Sequence, residues 1–303
     1  MGVINTSNFA KDLWPGVNKW YGMSYNQYPV EHTQIFDKEN STMAFEEEVG
    51  TSTFGLAPIK PEGMGIAYDE ARQGFIDRYT HVTWGLGFII TREMQEDGLA
   101  GTVSLRRAKA LAFSIRQTIE TVAANILNRA YDSNYPYGDG KELCAGDHPN
   151  VAGGTWANEL GTAADLSEAS LEQCCIDIAN LTNDRGLKIA VRPMKLIIPT
   201  ALIFEATRIL KSELRAGTAD NDVNALRNMG MIPQVVVNHY LTDDDAFFVK
   251  TDIPDGLKHF ERRSMEFDTD NDFDTENARF KATFRGSWGC TDKRGIFGSP
   301  GTP

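Results

Sequence analysis

The chain has 303 residues, 41% hydrophobic and 24% charged, enough to bury a sizeable core in one or two domains. Forty-two acids against 30 bases give a formal charge of −12, the opposite of what a protein gripping nucleic acid through phosphates would carry. No apolar run approaches the roughly 20 residues of a membrane span. The N-terminus has neither a secretory pattern nor a lipidation motif at Gly2.

Residues 1–42 carry Trp14, Trp20, Tyr21, Tyr25 and Tyr28 without a clear period, too many aromatics for a solvated tail. The segment should pack either on its own subunit or on a neighbour. From Met43 to Thr91 the pattern is β, in short runs broken by Gly and Pro. IDRYTHVTWGLGFII reads as one strand that becomes more buried towards Ile90. Glu46, Glu47 and Glu48 read as a solvated face. A long hairpin of this kind needs a second surface to lie on.

The longest periodic segment runs from Ser104 to Ala130. Leu105, Ala108, Leu111, Ala112, Ile115, Ile119, Val122, Ala123, Ile126 and Ala130 form one helical stripe, with Ser104 or Thr102 placed to cap it. It is either a strut between two regions or an ordinary core helix. Its bases (Arg106, Arg107, Lys109, Arg116, Arg129) point several ways and read as solvated or paired.

Residues 131–164 are polar and turn-rich. Helices are expected over Leu166–Asn183, with Asp165 and Glu168 as a capping-box variant and Gly186 as stop. Another runs from a Thr200 cap to Gly217, and a short one covers Asp222–Asn228. MKLIIP and Gln234–Tyr240 supply strands, and AFFVKT, LKHFERRSMEF and ARFKATFRGSW close the chain as β. The order β, long helix, α/β, β is that of an α+β protein and not of a doubly wound sheet.

Local chemistry signatures are absent. There is no phosphate loop, no dinucleotide fingerprint, no nucleophile elbow and no H-E-x-x-H pair. Four cysteines (Cys144, Cys174, Cys175, Cys290) without C-x-x-C spacing imply reduced thiols, with Cys174 or Cys175 facing a core. The five histidines are dispersed, and His148, beside Pro149, reads as a hydrogen-bonding turn residue. Asp268, Asp270, Asp272 and Asp274 alternate like calcium ligands, but an EF-hand begun at Asp268 would need Gly where Phe273 stands and Glu where Arg279 stands. They read as an acidic turn held by Arg262, Arg263 or Arg279. No catalytic, cofactor-binding or metal-ligating residue is assigned, and no cofactor.

Two patches carry a resemblance. Thr91, Arg92, Glu93 and Asp97 precede the long helix, and Asp139, Gly140, Leu143, His148, Pro149 and Asn150 follow it. Arg285, Gly286, Gly289, Asp292, Arg294, Gly295, Phe297 and Gly298 lie in the closing FRGSWGCTDKRGIFGS. This arrangement resembles the major capsid proteins of tailed bacteriophages with the Hong Kong 97-like fold, in the branch of the Mu-like major head subunits.

The resemblance implies an N-terminal arm over 1–42, an E-loop hairpin with its lead-in over 43–97, and a spine helix with the following loop over 98–149. It implies an axial domain over 150–250 and peripheral-domain strands over 251–303. It also implies a non-enzymatic subunit that assembles as hexamers and pentamers into a head enclosing double-stranded DNA as non-specific content. Assembly would take place in the bacterial host cytoplasm, away from membranes. Portal and decoration proteins are implied partners, and Met1 directly before the arm implies that scaffolding is a separate protein. An encapsulin-like cargo compartment and an acidic metal-dependent enzyme at Asp268–Asp274 with His259 or His239 are the alternatives.

Overall fold

The computed structural model describes residue 19 and residues 21–96, 100–214, 222–272 and 275–302. Trp14, Trp20, Asp97, Gly217, Phe273 and Asp274 lie outside them, as does the side chain of Thr102.

In chain order the N-terminal half contains α1 (residues 21–27), α2 (His32–Ile35), β1 (Asp37–Asn40), β2 (Phe45–Thr51), β3 (Gln73–Thr80), β4 (Val82–Ile90), α3 (Arg92–Glu96) and α4 (Ala100–Asn128). The remainder contains β5 (His148–Pro149), β6 (Thr155–Trp156), α5 (Glu168–Asn180), β7 (Pro193–Ile198), α6 (Ile203–Lys211), α7 (Ala225–Met229), β8 (Gln234–Val237), β9 (Phe247–Thr251), β10 (Leu257–Asn271), β11 (Ala278–Cys290) and β12 (Ile296–Ser299).

Two four-stranded sheets carry the architecture, in the orders β1-β10-β11-β4 and β12-β9-β7-β8. In the first, β1 runs parallel to β10 and the other pairings are antiparallel. In β11 the alternation of Ala278, Phe280, Ala282 and Phe284 with polar residues turns the apolar set onto α4 and into the core. The second sheet pairs β7 and β8 in parallel, which requires the crossover that α6 and α7 supply. Its core joins Leu171, Cys174 and Ile178 of α5 to Leu196, Phe247 and Val249, with Phe297 arriving from β12.

At about 1.5 Å per residue, the 29 residues of α4 span roughly 43 Å. Ala108, Leu111, Ala112, Ile115, Ile119 and Ala123 of the expected stripe are buried, as is Ala130 just beyond the helix. The helix begins four residues before Ser104, so that residue lies within it and does not cap it. The polar side is covered in part: Gln117 Nε2 donates to Tyr240 Oη at 3.0 Å and Asn128 Nδ2 to the Tyr240 carbonyl at 3.1 Å, while Arg107 and Thr121 stay exposed. Among the bases expected to be solvated or paired, Arg116 is the buried one, at 7% exposure; it pairs with the Tyr25 ring and carbonyl, while its Nε has no partner among the described residues.

The expected strand IDRYTHVTWGLGFII is two strands divided at His81. β3 pairs with β2, whereas β4 leaves the hairpin and pairs with β11. Other boundaries move by a few residues. Ser167 caps α5 and forms the capping box with Ser170, in place of Asp165 and Glu168. The helix stops at Asn180, and Gly186, at φ 78°, closes the following turn instead. A 3-10 turn at Thr200–Leu202 precedes α6, so Thr200 is not its cap.

Candidate assembly surfaces and their anchors

The arm, where described, folds onto its own subunit. Tyr21 is buried and stacks on Phe267 with centroids 4.4 Å apart, and Tyr28 meets Phe113 at 5.1 Å. Its polar anchor is Glu120, a carboxylate 1% exposed on α4. Glu120 accepts from the backbone N–H groups of Glu31 and His32 at 3.3 and 2.9 Å, and its other oxygen lies 2.8 Å from His32 Nδ1. The orphan amides at the start of α2 are thereby satisfied from the spine. Lys250 pins the other end, donating to the Ile35 carbonyl at 2.8 Å and to Asp37 at 2.9 Å.

The β2–β3 hairpin is anchored at its root and bare at its tip. Lys258, buried on β10, reaches Glu48 at 2.5 Å, Asp255 at 2.7 Å and Glu39 at 3.1 Å. Asp77 accepts from Lys293 Nζ at 2.6 Å and from the Gly138 amide at 2.8 Å. Gly138 has to be glycine, because a Cβ would collide with the Ile76 carbonyl. His81, at the pivot between β3 and β4, lies 2.9 Å from Ser41 Oγ and 3.0 Å from Ser287 Oγ. Burial and then the charge of Arg285 lower its pKa below the ordinary value.

Of the three acids read as a solvated face, only Glu47 is solvated. Glu46 accepts from Ser41 Oγ at 2.5 Å, and Glu48 binds Lys258 and Thr291. Further out, Asn183, Asp184 and Arg185 hold the neck through Thr53, Asp69 and the Glu70 carbonyl.

Beyond that neck, Phe54, Leu56, Ile59, Met64, Ile66 and Tyr68 all face solvent, with Leu56 82%, Ile59 94% and Tyr68 95% exposed. Six large apolar side chains within fifteen residues of a polar-stemmed hairpin form a surface that water does not favour. β4 adds a sheet edge on which Leu86 and Ile89 are more than half-exposed or close to it.

The two sequence patches that carried the resemblance meet in space. His148, fully buried, lies 2.7 Å from Asp139 through Nδ1 and 3.0 Å from Asn158 Oδ1 through Nε2. Asn158 in turn accepts from the Ala145 amide and donates to the carbonyls of Leu143 and Lys293. Arg294 donates to Asn150 and lies over the Trp156 ring, which also stacks on His148. Burial raises the Asp139 carboxyl, but the His148 hydrogen bond and the Lys293 charge outweigh it and hold the group below its ordinary value. His148 is thus a buried tie between the loop after the spine and the closing turn. Asn158 was not singled out in the sequence; its only signal is position, ten residues after His148 in a polar loop.

The remaining candidates separate. Asp268 and Asp270 lie on β10 itself, with Asp268 3.3 Å from Lys281, while Asp272 binds Arg279. Arg263 turns to Glu266 and Thr283 instead. No group of three or more metal-ligating side chains exists among the described residues, and no described helix is long and apolar enough to cross a membrane. All four cysteines are free and buried, with thiols raised by burial. His239 pairs with Glu31 at 2.6 Å, and His259 lies against His32 at 5.6 Å between ring centres, a meeting that the spacing did not reveal.

Two sheets on a long spine helix, with an anchored hairpin projecting from them, define the Hong Kong 97-like capsid fold. Solved structures share it at low sequence identity. Mycobacterium phage Patience matches with a TM-score of 0.54 and 9% identity, over 98% of this chain and 88% of that one. The virus-like particle from Pyrococcus furiosus gives 0.52 and 9%, over 93% and 97%. The procapsid of bacteriophage JBD30 gives 0.50 and 14%, over 96% and 75%. No curated protein matches by sequence. Residues 76–298 match the phage capsid protein family, and the chain belongs to that family. It is a structural major capsid protein of the tailed-phage type.

Proposed function

We propose that this subunit, of the Mu-like branch, assembles as hexamers and pentamers into the icosahedral head of a tailed bacteriophage, enclosing double-stranded DNA as non-specific content. On this reading residues 1–42 are the arm, the β2–β3 hairpin is the E-loop, and residues 98–149 are the spine and following loop. Most of 150–250 forms the axial domain, and β10 and β11 belong to the peripheral domain. Separate scaffolding, portal and decoration proteins are its expected partners, and the host cytoplasm is where it assembles.

The supporting observation is the hairpin: tied at its root by buried ion pairs, with its apolar tip exposed. A tip held away from its own core finds burial only on another copy, and heterologous contacts of that kind close into rings and shells. The family match, which is to phage capsids, favours a head over a cargo compartment of the same fold. Negative-stain imaging and sedimentation of the expressed protein test the proposal, with closed particles or discrete rings as the expected result. A protein that remains a 33.6 kDa monomer at high concentration, both alone and with a scaffold partner, would refute it.

A further inference from the structure

The cavity beneath the arm has a composition that neither the fold nor the assembly reading uses. It measures ≈ 420 Å³ and lies between α1, α4 and the first sheet, against about 30 Å³ for one water in the liquid. Three of its lining side chains are at least nine-tenths buried: Arg116 at 7% exposure, His259 at 6% and Trp288 at 9%. Each has a ring or guanidinium nitrogen without a partner among the described residues: Arg116 Nε, His259 Nδ1 and Trp288 Nε1. Arginine Nε and indole Nε1 only donate, so what they lack is an acceptor. We propose that this cavity is an oxyanion site, taking one carboxylate or phosphate group against Arg116, His259 and Trp288.

The surrounding charges agree. Lys38 and Glu261 also line the cavity and neutralise each other at 2.9 Å. Arg116 lies over the Tyr25 ring at 3.9 Å, and its Nη2 donates to the Tyr25 carbonyl at 3.4 Å, so among the described residues it forms no ion pair with a carboxylate. Arg263 and Arg285 border the cavity from the sheet and His32 from α2, where His32 is turned to Glu120. Burial, then the positive fields of His32 and Lys38, drive the His259 pKa down to about 3. A negative charge bound beside the ring would oppose that shift by favouring the protonated imidazole. His259 lies flat on Trp288, with ring centres 4.3 Å apart and planes 3° apart, so both nitrogens are held in place before any ligand arrives. A bound oxyanion offers several lone pairs and a full charge, which one water does not.

Two sources supply the same chemistry: inorganic phosphate from solution, or an Asp or Glu side chain of a second copy of this chain. The binding experiment uses full-length, unassembled protein titrated calorimetrically with inorganic phosphate, so it stands or falls independently of shell formation. Saturable binding of one phosphate per chain is expected, weakened about tenfold by Trp288→Phe, which keeps the aromatic packing and removes the donor. Arg116→Gln should weaken it at least as much. In protein carrying ¹³C-labelled histidine, the His259 titration should move to higher pH when phosphate is added. The absence of saturable binding, or binding that both variants leave unchanged, overturns the proposal. High-resolution imaging of assembled particles then identifies the source. Isolated density between Arg116 and Trp288 means a free anion, and density continuous with a neighbour's carboxylate means the second copy. An apolar side chain or water alone in that position counts against the site.

Discussion

The arm and the hairpin start from similar sequence and end in opposite situations. Both are rich in aromatic or apolar residues, both project from the helical core, and both call for a second surface. The arm finds that surface on its own subunit: Tyr21 in the core, His32 on Glu120, Ile35 and Asp37 on Lys250. The hairpin finds it for its root only, through Lys258, Lys293 and Ser287, and leaves Leu56, Ile59 and Tyr68 in water. Apolar content says that burial is needed. The placement of buried polar anchors says where the burial takes place, because each anchor fixes a direction at a cost that only one geometry recovers.

The largest effect should come from the tip. Ile59→Asp combined with Tyr68→Asp is expected to abolish particles in sedimentation and negative stain. The unassembled chain should unfold within about 0.5 kcal/mol of the parent, as exposed positions do. A double variant that still closes into shells would erase the distinction between arm and hairpin.

The arm should behave the other way round. Glu120→Ala removes the acceptor of two backbone amides and of His32, leaving them buried without a partner. A cost of about 3–5 kcal/mol is expected in urea unfolding of the unassembled subunit. Here stability is lost before assembly is even asked for. Lys258→Ala should fall between the two. It abandons three carboxylates at the hairpin root, so the subunit loses stability and the tip loses its aim.

Lowering the pH separates the two regions again. Folded His259 stays neutral down to about pH 3, whereas the unfolded chain takes up the proton near the ordinary value of 6.5. A depressed folded pKa means that the stabilisation is complete above about pH 6.5 and is lost progressively as the pH falls towards 3. At pH 4.5 the loss should be about 2–3 kcal/mol. Urea titrations at pH 7.5 and 4.5 should show the pH slope reduced by that amount in His259→Phe, which preserves the stack on Trp288. The hairpin tip carries no comparable group, and its variants should keep the parental pH slope.

These contrasts also show what the chain disclosed in advance. The spine was legible because the apolar residues on one face of α4 recur at helical period over about six turns, and β11 because Ala278, Phe280, Ala282 and Phe284 keep period 2. The break at His81 was not, since residues on both sides are equally β-prone and the partner strand, β2 or β11, lies far away in sequence. The anchors were less legible still. Glu48 and Lys258 are 210 positions apart, Asp77 and Lys293 are 216 apart, and charged side chains read locally as solvent-facing. His148 was read locally as a hydrogen-bonding turn residue and Asp139 was noticed through resemblance, but nothing local announced that Asn158 would tie them to Lys293.

The smallest effect belongs to the acids that looked most chemical. Asp268 and Asp270 sit at the outer end of β10, where strand alternation points them to water and the chain simply continues. Asp268 accepts from the Thr269 amide at 2.9 Å and pairs with Lys281 at 3.3 Å, and both charged side chains are well exposed. Exposed pairs of this kind contribute between nothing and about 1 kcal/mol. Asp268→Asn with Asp270→Asn should therefore leave unfolding within about 0.5 kcal/mol, calcium titration flat, and particle yield unchanged. If calcium stabilised the parent but not this variant, the acidic ladder would have to be counted among the anchors. The line between paired, inward-facing charge and solvated charge would then need redrawing at the tip of β10.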